Sequence, residues 1–166
     1  MKVRSGFFVS LIFVCFALSL SSKDLPDLPF KAGEKLEYDI SWGFIPVGRA
    51  TLEINLIKEA PLKYWQINFS VSTNDFADAF YKVRTRVRSE VDYSFTRSLY
   101  YSKNQQEGKT VKSVDVKFDY EQKLCFYSEN SRKNKPLSIE GNVFDPLSIV
   151  YAFRLHPHKK GERKVI

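Results

Sequence analysis

From residue 81 to residue 92 the chain alternates without a break. Tyr81, Val83, Thr85, Val87, Ser89 and Val91 fall on one side, and Lys82, Arg84, Arg86, Arg88, Glu90 and Asp92 on the other. A period of two places side chains on one face of a strand but scatters them around a helix, so this segment is a strand with one face buried. The same period runs through residues 34–42, where Leu36, Tyr38, Ile40 and Trp42 share a face, and through 50–56 and 65–71. Residues 98–106, 110–120 and 123–128 complete a set of seven strands. Val111 is out of step with Val114, Val116 and Phe118, which predicts a bulge. The connections at 59–63, 107–108 and 121–122 are short. Such links join antiparallel neighbours, because a parallel crossover needs a dozen residues or more. Residues 74–79 have room for one turn of helix.

One longer helix is predicted over 146–156. Asp145 is suited to accept hydrogen bonds from the free amides of its first turn, Pro146 suits a first position that needs no amide hydrogen, and Pro157 stops it. Leu147, Ile149, Val150, Tyr151, Ala152, Phe153 and Leu155 leave it almost no polar face, so the expectation is a helix buried on all sides. The predicted fold is therefore mainly β. It is an antiparallel curved sheet, barrel or half-barrel of seven or more strands embracing one buried apolar helix. The chain has 14 Phe, 9 Tyr and 2 Trp. Such side chains fill a solid core or line an apolar cavity, and small barrels do both.

The N-terminus has the pattern of an export signal. Lys2 and Arg4 precede an uncharged apolar run over 7–20, and Ser19 and Ser21 sit two apart, as signal peptidase requires. Cleavage after Ser21 is expected. The run is shorter than the roughly 18 residues of a spanning helix, although an uncleaved anchor is the competing reading. Residues 22–29, with two prolines, form a linker, and 30–166 a single domain. Cleavage removes two of the charges behind the formal +7. It also removes Cys15, so Cys125 has no intrachain partner and is expected to act as a buried small hydrophobe. A domain of this size has core enough to fold without a disulfide.

The catalytic inventory is thin. His156 and His158 are the only histidines, and they flank Pro157. Zinc sites want three or four ligands. Ser148 lacks the glycines of a nucleophile elbow, and no Gly-rich phosphate loop is present. No catalytic, cofactor or metal residue is assigned, and a non-enzyme is expected.

Two features stand out as candidate contacts. Lys82, Arg84, Arg86 and Arg88 form a basic stripe on one face of a strand. It either meets anionic head groups or acidic glycans, or pairs across the sheet with carboxylates such as Asp115, Asp119 or Glu53; the second is the expectation. The link over 43–48 is bounded by two glycines and contains Pro46, which makes a defined turn, yet it carries Phe44, Ile45 and Val47 next to Trp42. This tip either plugs the end of a barrel, the favoured expectation, or touches lipid or a partner.

Residues 30–54, with GEKLEYDISWGFIPVGRATLEI inside them, resemble the opening of a bacterial family of exported domains of unknown function, family 3108. The run FDPLSIVYAFR, 144–154, resembles that family's second signature, and the resemblance covers residues 30–161. It implies a Gram-negative-type envelope protein with a barrel-like or strongly curved sheet, and further strands beyond the helix. By that measure the chain is C-terminally incomplete, stopping as 162–166 begins a strand. The resemblance brings no activity, ligand or catalytic residue with it.

The expected function is non-enzymatic binding of a hydrophobic or amphipathic ligand, a lipid or lipid-linked glycan, in the periplasm or envelope. An acyl-like group would lie among inward aromatics, with the stripe or the apolar loop orienting its head group. The alternative is a structural or assembly module that recognises another envelope protein by strand addition. A second alternative is a hydrolase with dispersed carboxylates. Export excludes nucleic acid as a partner. Nothing in the sequence sets an oligomeric state.

Overall fold

The structure, a computed structural model, describes residues 28–59 and 61–155. The expected signal peptide, most of the linker, both histidines and the strand-like run 162–166 lie outside the described residues. Within them the chain forms β1 (Glu34–Trp42), β2 (Ile45–Glu59), β3 (Leu62–Thr73), α1 (Asp75–Asp78), β4 (Val83–Asp92), β5 (Ser98–Glu107), β6 (Thr110–Asp119), β7 (Leu124–Glu129), β8 (Arg132–Lys133), β9 (Leu137–Ser138) and α2 (Ser148–Arg154). The strands make one curved antiparallel sheet in the order β1 to β8. β8 and β9 lie end to end along β7, interrupted by the segment containing Pro136. β1 pairs only with β2, so the sheet is unclosed among the described residues.

The seven predicted strands are all present. The eighth position, β8 with β9, escaped prediction because its pieces are two residues long and carry no alternation. A turn signal was there: Asn130 and Ser131 both adopt positive φ, as a two-residue hairpin turn requires. The bulge expected at Val111 is absent. Val111 pairs with Gln106 in unbroken register, exposed on the polar face. The register shifts fall instead at Ile40/Ser41 and Glu90/Val91.

Alternation sends Leu52 and Ile54 of β2, Trp65 and Ile67 of β3 and Val91 of β4 to one face. There they pack with Leu147, Tyr151 and Ala152 from the α2 region. Phe30, ahead of β1, closes the aromatic centre, with ring centroids 5.6 Å from Trp65, 4.9 Å from Phe95 and 5.1 Å from Tyr151. Burial of each large apolar side chain is worth about 1.5–3 kcal/mol. The Trp65 indole N–H donates to the Tyr93 carbonyl at 3.1 Å, so the ring is buried without an orphaned donor. No helix among the described residues is long and apolar enough to cross a membrane.

Asp145 joins this helix to the sheet. Its side chain is buried, the residue being only 3 % exposed. The carboxylate accepts from the Ser89 hydroxyl of β4 at 2.5 Å and the Ser98 hydroxyl of β5 at 2.6 Å. It also accepts from the Leu147 and Ser148 amides at 2.8 and 3.0 Å, the capping chemistry the sequence predicts, although α2 itself starts at Ser148 and not at Pro146. The expectation of a helix buried on all sides is overturned. Tyr151 and Ala152 are buried, but Ile149, Val150 and Phe153 are exposed. An open sheet covers one side of a helix, and only a closed barrel covers more.

Asp145→Ala leaves two buried hydroxyls and two helix amides without their acceptor. We expect a loss of about 3 kcal/mol or more, read from the urea midpoint. A midpoint shift below a third of that would refute the role assigned to this carboxylate.

Candidate functional site

The apolar face of the sheet extends past the part that α2 covers. Strand register places Leu36, Leu52, Phe69, Val87 and Lys103 side by side in one row across β1 to β5. The row is apolar until its last member. Along it lies a groove of about 470 Å³. Tyr38, Leu52, Phe69, Val87 and Tyr101 form its floor, and Pro146, Leu147 and Val150 its helix wall. Thr85 and Lys103 are its polar lining, and Lys103 is the one charged residue among the lining groups. Burial, and the nearby Asp145 charge, raise the Tyr101 phenol above its usual range, so it lines the groove as a neutral hydroxyl. The volume lies within the range of small-molecule sites, which are mostly apolar with a few placed polar groups.

The groove's wall is held at both ends of α2. Asp145 fixes the start. At the other end Arg154 forms a two-pronged ion pair with Glu34, the first residue of β1, and also donates to the Pro29 carbonyl at 3.0 Å. The same guanidinium lies 5.3 Å from the centre of the Tyr151 ring. The Tyr151 hydroxyl is buried with no hydrogen-bond partner among the described residues. Burial, reinforced by Glu34, pushes its pKa from the usual 10.0 to about 12.

The predicted contact residues sit elsewhere. Arg84, Arg86 and Arg88 face away from the groove, on the polar side of the sheet, so the stripe does not reach a ligand lying in it. Lys82 lies just ahead of β4, exposed. Arg84 is bound to Asp78, with guanidinium–carboxylate distances of 2.9 and 2.6 Å, and holds that carboxyl below its ordinary range. Arg88 pairs with Glu90 at 2.5 Å. Cross-strand pairing with Asp115, Asp119 or Glu53, the expectation, is not what forms; the partners are local. Arg86 has no ion pair among the described residues. It lines a polar cleft of about 500 Å³ with Ser70, Ser72, Asn104 and Gln106.

The plug expected at 43–48 is also overturned. The turn is only Gly43 and Phe44, with Gly43 at φ +62°. Ile45 and Val47 belong to β2, and Phe44 and Trp42 project into solvent. Among the described residues the sheet is open and has no closed end to plug.

Lys103 and Tyr101 escaped the sequence reading. In β5 both faces carry polar residues, Tyr101, Lys103 and Gln105 against Ser102, Asn104 and Gln106, so periodicity alone leaves the inward face undecided. Cys125 is buried as expected, and burial raises its thiol pKa. No group of three or more metal-ligating side chains occurs among the described residues.

Tyr151 makes the alkaline limit of stability testable. The folded state holds this proton to about pH 12, while the unfolded chain releases it near pH 10. The unfolded state gains by ionising first, so this contribution is intact below about pH 10 and is lost as pH rises to about 12. Tyr151→Phe should match or exceed the parent's stability at pH 8, since it deletes an orphaned hydroxyl. It should also lose less than the parent between pH 9 and pH 11. Denaturant titrations at these pH values check both, and equal alkaline losses would refute the assignment.

One family model, described as protein of unknown function (DUF3108), matches residues 37–166. No curated protein and no solved structure matches the chain. The match takes in β1 from its fourth residue, β2 to β9, all the residues lining the groove and α2, and on that ground the chain belongs to the DUF3108 family of proteins of unknown function.

Proposed function

We propose that this is an exported envelope protein that binds an amphipathic, lipid-like ligand, without catalysis, in the groove beside α2. The observation that carries the reading is the row Leu36–Leu52–Phe69–Val87, walled by the open side of α2 and ending at Lys103. An acyl-like chain replaces water along the row. Each methylene buried there is worth about 0.8 kcal/mol. Lys103 supplies the one cation at the end of the row for an anionic head group, a role the sequence assigned to the arginine stripe. The apolar loop, too, lies outside the groove lining and takes no part in it.

A second reading rests on a different observation. The outer edge of β1 has no strand partner among the described residues, over nine residues. Such an edge is a template for strand addition by another envelope protein.

The two readings separate in one experiment. Native mass spectrometry of the exported protein purified from its own envelope, followed by solvent extraction, should show a discrete extra mass that extracts as lipid. Val87→Trp, which fills the groove, should abolish that mass, while Arg86→Ala on the opposite face should leave it. A bare polypeptide mass, or a lipid mass that survives Val87→Trp, would overturn the groove. A co-purifying polypeptide released by Ile40→Pro, which blocks pairing on β1, would establish the second reading.

A further inference from the structure

The end of the sheet opposite the α2 core exposes five large aromatic side chains together. Phe44 is 95 % exposed, Trp42 79 % and Phe80 78 %, and Phe76 and Tyr81 are each more than half exposed. They come from two segments that the fold holds side by side. The Asn74 amide nitrogen donates to the Val47 carbonyl at 2.9 Å, and its side chain donates to the Pro46 carbonyl at 2.8 Å. Asn74 also caps α1 by accepting from the Ala77 amide. These bonds fasten α1, with Phe76, against the base of the β1–β2 turn that carries Trp42 and Phe44. Phe80 stacks edge-on against Phe76 at 5.5 Å. The Tyr81 ring lies against Gly108, where an added Cβ would come within 3.0 Å of it. The Gly108 amide in turn donates to the Lys82 carbonyl at 2.8 Å, which seats the β5–β6 turn beside the cluster.

Scattered single apolar residues on a surface mean little. Five large aromatics on two segments fastened together at one end of a sheet mark an interaction site. Three features choose the occupant. Side chains as exposed as Phe44 and Trp42 are projections on a turn, not the walls of a pocket, so they insert rather than receive. Trp, Tyr and Phe are the residues that settle at a membrane–water interface. And the cluster continues the face of the proposed ligand groove. Ile40 and Trp42 follow the groove residue Tyr38 along β1, and Val83 follows the groove residue Thr85 along β4, with Tyr81 just ahead of that strand.

We propose that this aromatic end docks on a lipid bilayer, with Trp42 and Phe44 inserted at the head-group level and the groove opening toward the membrane. The inference rests on the groove reading and adds the surface from which its ligand is taken or to which it is delivered. Charge does not drive the docking. Asp78 is engaged by Arg84 and Asp39 by Arg49, and in formal charge Lys82 and Lys109 are matched by Asp75 and Glu107 of the same two segments. Attachment should therefore survive high salt and need no anionic lipid.

The second tryptophan of the chain supplies an internal control. Trp65 is buried in the core, so a change in tryptophan emission on adding vesicles reports Trp42. With the exported protein and vesicles of phosphatidylethanolamine and phosphatidylcholine, we expect a blue shift and quenching by bromine-labelled acyl chains, little changed by about 0.5 M salt. The double variant Trp42→Ser, Phe44→Ser changes two solvent-exposed side chains. It should keep the parent's unfolding midpoint and lose at least ten-fold in vesicle co-sedimentation. Unchanged Trp42 emission, or equal sedimentation of parent and variant, would overturn the docking surface. Binding that appears only with phosphatidylglycerol and vanishes in salt would overturn the insertion mechanism. The groove fails separately: a protein that binds vesicles through Trp42 but yields no extractable lipid sinks the groove reading alone.

Discussion

One buried carboxylate settles where the helix lies, and with it the shape of everything on that face. A charge removed from water costs several kcal/mol unless the protein supplies hydrogen bonds in place of water. Asp145 receives four, two from hydroxyls on adjacent strands and two from the amides that open α2. Ser98 also accepts from the Asp145 amide at 2.9 Å and shares a hydrogen bond with the Ser148 hydroxyl at 2.8 Å, so the network closes on itself. Such a network tolerates little displacement. A shift of α2 by one residue would strand the charge in an apolar layer. The register shift at Glu90/Val91 lies between Ser89 and Ser98 in the pairing of β4 with β5 and brings both hydroxyls to the same carboxylate.

The helix so placed divides the apolar face in two. On one side Phe30, Trp65, Phe95 and Tyr151 form a buried aromatic core, with Phe95 held in the left-handed region at φ +55° by a turn in which its amide donates to the Asp92 carbonyl. On the other side the apolar face continues uncovered by any other element among the described residues. The groove is the part of that face that the seven residues of α2 are too short to cover. The opposite face of the sheet is polar throughout β3 to β5, and two of its three strand arginines are held in local ion pairs. Exposed pairs of this kind contribute little to stability. Arg84 ties β4 to α1, and Arg88 pairs within its own strand, so neither pair sets the register between strands.

Period-two alternation made all seven main strands legible, and in β4 it assigned every side chain to its correct face. Capping chemistry made the start of α2 legible, because Asp followed by Pro can serve the first turn of a helix whatever surrounds it. The failures share a cause. A helix apolar all round implies burial only if enough structure exists to bury it, and the amount of covering structure is a property of the sheet's closure. The plug at Phe44 failed for the same reason. The partners of Arg84 and Arg88 were missed because an ion pair forms with whichever carboxylate arrives within reach, here Asp78 on α1 and Glu90 two residues along the same strand. Lys103 and Tyr101 were missed because β5 alternates polar with polar.

The sequence by itself determined the local choices: strand against helix, which face of most strands is apolar, the cap of α2, and kinship with the family that contains it. These depend on side-chain period and short-range hydrogen bonding, which act between residues close in the chain. Only the tertiary structure decided that the sheet remains open among the described residues, that α2 is half covered, that Lys103 ends an apolar row, and that Trp42 and Phe44 join Phe76, Phe80 and Tyr81 at one end. Each of those is set by the order and register in which distant strands pair, and alternation along a single strand carries no record of its neighbours.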